Sequence, residues 1–168
     1  MKSRFWKATS ALALGLMLVL SLGRGAMAQS AETHASPTLH GTWIVAVQIR
    51  NCQTGAPLGM PFRSLLSFAA GGTVTETTEN PMFYPALRGP GHGIWSRTGS
   101  HNFKASTTAF IALNGSLVKT QRIGQNIEIS TDPNQFTTTS AVVEFFDPDG
   151  NLIQKGCASA VGVRYRFQ

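Results

Sequence analysis

Glu76, Glu79 and the four histidines are the side chains through which this sequence could move protons at neutral pH. Glu76 and Glu79 are three residues apart, which on an extended strand sends the two carboxylates to opposite faces and argues against a shared acid–base pair. With Val74 facing inward, Glu76 faces inward as well, as a polar anchor or a base. His92 stands between two glycines in Gly89-Pro90-Gly91-His92-Gly93, where an accessible imidazole could do acid–base work. The plainer expectation is that these glycines only let the chain turn into a strand and leave His92 solvated, because no second catalytic group is tied to it by spacing. His34, His40, His92 and His101 have no metal-ligand spacing, so no metal is expected. No serine sits in a nucleophile elbow, and there is no phosphate loop or dinucleotide fingerprint, so no cofactor is expected either.

The remaining chemistry lies in two cysteines and in the aromatic side chains. Met1 to Lys7 carries three positive charges, Ala11 to Leu22 is an apolar run, and Ala26-Met27-Ala28 places small residues where a signal peptidase reads them. This predicts a signal peptide over 1–28, cleaved after Ala28, and a secreted or periplasmic protein. The apolar run is shorter than the ~20 residues of a spanning helix, so no stable membrane insertion is expected after cleavage. In an oxidising compartment Cys52 and Cys157, a lone pair, are expected to form one disulfide. Four of the fourteen basic residues, Lys2, Arg4, Lys7 and Arg24, fall in the predicted signal, leaving ten basic against eight acidic side chains, a net +2. So small a charge argues against a nucleic-acid partner, which calls for a clustered basic face.

These residues need elements to position them. Residues 29–38 are small and polar and read as a disordered leader, with the domain at 39–168. Beyond the leader no window shows helical periodicity. Short runs rich in Val, Ile, Thr and Phe alternate with turn residues instead, predicting strands at 41–50, 62–70, 72–79, 93–98, 101–113, 116–130, 136–147 and 151–167. Asn114-Gly115 has the chemistry of a two-residue hairpin turn, and Asp147-Pro148-Asp149-Gly150 that of a corner joining the last two strands. Eight consecutive strands on short turns, with no helix to cover a face, predict an all-β fold that removes its edges by closing into an antiparallel up-and-down barrel.

Closure makes the first and last strands neighbours. Placing Cys52 opposite Cys157 would set Val45 against Arg164 and Trp43 against Arg166. Trp43, Val45, Val47 and Ile49 then share one face while Val161, Val163, Tyr165 and Phe167 occupy the other, so matching the apolar faces requires a slip or bulge. Gly41-Thr42-Trp43 at the start of strand one, the eight-strand meander and an arginine late in the last strand resemble the lipocalin and wider calycin barrels. Thr131-Asp132 resembles part of that family's Thr-Asp-Tyr motif, with Pro133 in place of the aromatic. The resemblance implies that Trp43 plugs a closed end, that Arg164 or Arg166 covers its ring, and that the open end holds a small hydrophobic ligand.

The expectation is therefore an exported binder of a small hydrophobic molecule. Phe68, Trp95, Phe110 and Phe145 would line the interior, and the segment 80–92 would act as lid through Met82, Phe83, Tyr84 and Leu87. Two alternatives stand beside it. One is an isomerase or cyclase on the same barrel, using His92 or Glu76. The other is a packed barrel without a cavity, whose 80–92 segment binds a partner.

Overall fold

The computed structural model describes residues 37–167. The predicted signal peptide and most of the leader lie outside the described residues. The chain forms β1 (Gly41–Arg50), β2 (Pro57–Phe68), β3 (Thr73–Glu79), β4 (Leu87–Arg88), β5 (Gly91–Arg97), β6 (Asn102–Leu113), β7 (Ser116–Ile129), β8 (Gln135–Phe146) and β9 (Leu152–Arg164), with one short 3-10 turn at Pro81–Phe83. Every pairing is antiparallel. β1 pairs with both β2 and β9, and β6 with β7, so the sheet closes on itself as an eight-stranded up-and-down barrel. The two-residue β4 continues the line of β5 along β6, interrupted at Gly89-Pro90; Gly89 still donates to the Phe110 carbonyl at 2.9 Å.

The turn chemistry acts as its residue types dictate. Asn114 and Gly115 both take positive φ, 51° and 82°, the signature of the hairpin turn whose twist matches its strands. At the last corner the Gly150 N–H donates to the Asp147 carbonyl at 3.0 Å, while the Asp147 carboxylate accepts from the backbone of Asn151 at 2.8 Å. The largest departures from expectation are at the starts of two strands. β2 begins at Pro57 because residues 51–56 form a tight loop, closed by Asn51 N–H to the Ala56 carbonyl at 2.9 Å. The expected fourth strand begins earlier too, at β4, which leaves only 80–86 as a loop.

The seam between β1 and β9 removes the register conflict without any slip. Trp43 lies opposite Arg164, Val45 opposite Gly162, Val47 opposite Ala160 and Ile49 opposite Ala158. The register is thus two residues away from the one that faces Cys52 with Cys157; Arg50 takes the place opposite Cys157, and Cys52 reaches back from the loop to form the disulfide, with 5.2 Å between the two Cα atoms. The inward face of β9 consists of Ala158, Ala160 and Gly162, and Val161, Val163, Tyr165 and Phe167 stay exposed outside. Packing, rather than hydropathy, decides this. A Cβ on Gly162 would stand 2.2 Å from the Phe136 ring, so nothing larger than glycine fits inside the barrel there.

One end of the barrel is filled. Leu39, Trp43, Phe68, Phe103, Ile127, Ile129 and Phe136 form its core, and Trp95 packs edge-on or tilted against Phe68 and Phe103 with ring centroids 5.9 Å apart. The Trp43 indole N–H donates to the Leu39 carbonyl at 2.9 Å, and Phe136 meets the Trp43 ring edge-on at 4.9 Å. Arg164 lies over the Trp43 ring, its guanidinium carbon 4.2 Å from the ring centroid, and donates to the carbonyls of Thr38 (2.7 Å), Pro133 (3.3 Å) and His40. Burial beneath these carbonyls, with Arg166 nearby, lowers the Arg164 pKa from its usual value. Gly41 takes φ 111° and lies against the same guanidinium, 3.1 Å from where its Cβ would be, so the glycine, tryptophan and arginine form one assembly. Arg166 is exposed and takes no part.

Candidate functional site

The other half of the barrel holds a cavity of about 260 Å³. Its walls are Val45, Val47 and Ile49 of β1, Phe62 and Leu66 of β2, Ile123 of β7, and Val143 and Phe145 of β8. Space exists because one side of the wall is built of small residues: Ala141 on β8, and Gly156, Ala158 and Ala160 on β9. Eight strands enclose an interior that ordinary side chains can fill; here a run of glycine and alanine withholds the volume. At the mouth, Asn80 caps the 3-10 turn by accepting from the Met82 N–H at 3.0 Å, and this turn sets Met82 and Phe83 into the cavity lining, Phe83 lying 6.2 Å from Phe145, ring to ring.

A buried polar group lies across the inner part of the cavity. Glu76 of β3 and Arg88 of β4 form an ion pair with only 3% and 2% of their side chains exposed. The second carboxylate oxygen of Glu76 accepts from the Thr107 hydroxyl at 2.9 Å, and Arg88 also donates to the Gln121 side-chain carbonyl and to the Gly89 carbonyl at 3.2 Å. Thr78, 3.5 Å from Glu76, links the pair to Ser64 through a 2.8 Å contact between hydroxyls. A buried charge pair is tolerated only when its remaining donors and acceptors are satisfied, and every buried side-chain polar atom among the described residues has a partner. The glycines of β5 allow two close approaches, Gly91 to the ion pair and Gly93 to the β6 backbone. A Cβ on Gly91 would come within 2.5 Å of the Glu76 side chain, and one on Gly93 within 1.8 Å of the Ser106 carbonyl oxygen. That is why Gly91-His92-Gly93 has its form; His92, the residue between them, points outward and is exposed.

The residues singled out from sequence therefore divide. Glu76, Phe145 and Phe83 line the cavity. Phe68 and Trp95 face inward but belong to the filled end. Phe110 is on the outer face, 62% exposed, because β6 buries Ala109 and Ile111 on either side of it. Tyr84 follows the 3-10 turn and is 86% exposed, so only the first half of the expected lid reaches the interior. His92 and Glu76 are on opposite faces of the barrel wall and cannot serve one site. Arg88, Gln121 and Lys119 also line the cavity, and no sequence pattern marks them. Arg88 carries no local signal: its partner is twelve residues away across a loop, and a charged residue in a Pro- and Gly-rich stretch reads as solvated. Among the described residues no helix is long and apolar enough to cross a membrane. No protein-family model matches the sequence, and no curated protein matches it.

Proposed function

We propose that the protein binds a small hydrophobic molecule in the barrel cavity, as an exported, lipocalin-like carrier or scavenger. The observation that carries this reading is the cavity itself: largely apolar walls, held open by glycine and alanine on β8 and β9, above a polar group whose hydrogen bonds are already made. Concave, mostly apolar sites with a few placed polar groups are the usual form of small-molecule pockets. A dry apolar cavity of about 150 Å³ takes benzene, so one of 260 Å³ suits a compact ligand of roughly ten to fifteen non-hydrogen atoms. Gln121 and Gln125 line it with amide groups that can orient a carbonyl or hydroxyl.

Binding accounts for the site better than catalysis does. Both oxygens of Glu76 are engaged, by Arg88 and by Thr107, and His92 is outside. The Trp43–Arg164 assembly at the opposite end and the disulfide support the calycin and export parts of the reading. Native mass spectrometry of the protein from its source tests it, paired with titration of an environment-sensitive apolar dye. A retained small molecule, or saturable dye binding displaced by apolar competitors, is expected. Absence of both would overturn the reading.

A further inference from the structure

We infer that the cavity selects an apolar monocarboxylate, with its tail among the inner walls and its carboxylate held between the Lys119 ammonium and the Gln121 side-chain amide. The inference rests on the reading above, that the cavity takes an apolar ligand.

The polar groups that face the cavity are one-sided: hydrogen-bond donors are left over, whereas acceptors are already engaged. Both Glu76 oxygens accept, from Arg88 and from Thr107. The Gln121 oxygen accepts from the Arg88 Nε, and because a guanidinium only donates, this contact fixes which way the amide points. The Gln121 amide nitrogen then has no protein partner. Since no buried side-chain nitrogen among the described residues lacks one, this nitrogen is open to the cavity that Gln121 lines. Asn80 repeats the arrangement at the mouth, its oxygen taken by the Met82 N–H at 3.0 Å. The Gln125 oxygen likewise accepts from the Thr138 hydroxyl at 3.3 Å. Among the lining amides, only Gln154, exposed on β9, has an oxygen without a protein donor. A ligand that fits this interior brings acceptors of its own.

Charge points to an anion. Glu76 and Arg88 cancel within one ion pair, which leaves Lys119 as the uncompensated charge of the lining. Lys119 is half-buried, its ammonium 5.9 Å from the centre of the Phe145 ring, and it takes part in neither ion pair among the described residues. β7 positions the two donors together. It enters from the β6–β7 turn, and its inward face presents Lys119, then Gln121, then Ile123. Residues two apart on a strand stand about 7 Å apart, so two long side chains on one face can reach the two oxygens of a single carboxylate. Hydrogen bonds of that kind are charge-assisted and stronger than neutral ones. Val45, Ile123 and Val143 supply apolar wall for the tail. An alcohol of the same length forms only uncharged hydrogen bonds there, and an ammonium meets Lys119 with like charge.

The test loads the intact disulfide-bonded protein with a neutral apolar dye at neutral pH and displaces it with decanoate, decan-1-ol or decylammonium, which share a chain length and differ in head group. Decanoate should bind tighter than decan-1-ol by roughly tenfold or more, with decylammonium weakest. Lys119→Met keeps the apolar stem, and should weaken decanoate by roughly tenfold while leaving decan-1-ol unchanged. Lys119→Arg should restore the preference. Lys155→Met, which removes a cation outside the cavity lining, should behave as the parent does. Saturable dye binding with equal displacement by the three probes, or an undiminished decanoate preference in Lys119→Met, overturns the inference while leaving the ligand reading intact. A parent protein that takes up no dye overturns the ligand reading and this inference with it.

Discussion

Arg164 has three tasks at once: it covers Trp43, ties residues 38 and 40 across the filled end, and holds the β7–β8 turn through Pro133. Replacing it with alanine should cost roughly 2–4 kcal/mol in chemical denaturation, from the lost stacking and the orphaned carbonyls. Lysine should restore little, because an ammonium cannot stack flat and reach three acceptors together; full recovery by lysine would show that charge alone matters. Glu76 and Arg88 make a different kind of pair. Arg88→Met alone leaves a buried carboxylate without its partner and should cost about 3–5 kcal/mol, whereas the double variant Glu76→Met/Arg88→Met should recover most of that loss. A double variant no better than the single would show that the pair positions the β3–β4 connection rather than balancing charge. The two sites differ in how far their sequence revealed them. Gly41-Thr42-Trp43 is visible in the sequence and led to a covering arginine, Arg164 or Arg166, whereas the Glu76–Arg88 contact depends on three-dimensional neighbours, Thr107 and Gln121, that are more than thirty residues from one member of the pair or the other.

Among the elements, β9 determines both cavity and surface. Alternation along it was legible, but which face points inward was not. Its valines look like core residues, and only the bulk of Phe136 facing Gly162 and the need to match Val45 and Val47 turn the glycine–alanine side inward. Filling the cavity from this strand tests its role: Ala158→Phe should abolish dye uptake while retaining a cooperative thermal transition, at an overpacking cost of about 1–3 kcal/mol. Unchanged dye affinity would place the binding elsewhere. The β8–β9 corner has a titratable clasp. Hydrogen bonds hold the Asp147 carboxyl below its ordinary pKa, first from the Asn151 side chain and then from the Asn151 backbone. A depressed folded-state pKa means that the clasp's contribution is complete above the ordinary carboxylate value and is lost as pH falls through the lower, folded value. Amide exchange at 147–151, corrected for intrinsic pH dependence, should therefore lose protection only as pH falls below the ordinary carboxylate value of about 4, and Asp147→Asn should remove the effect.

For the molecule as a whole, the meander and its closure were readable because turn residues punctuate it at short intervals and no helix competes. The hollow half was not readable, because a cavity is an absence of volume summed over several strands. The disulfide fastens the mouth end of the β1–β9 seam, as Arg164 fastens the filled end. Reduction should lower the thermal midpoint by roughly 10 °C or more, given a stabilisation of about 2–4 kcal/mol; a smaller change would mean that the reduced, unfolded chain is already compact. The seam also has a kinetic consequence. Trp43 and Arg164 pair across almost the whole described chain, and such non-local closure makes folding slow. Until β9 has emerged, β1 has one partner rather than two and the barrel cannot close. A barrel whose last described strand completes its first cannot close around a ligand before that strand is in place, so fragments ending at β8 should bind no apolar dye.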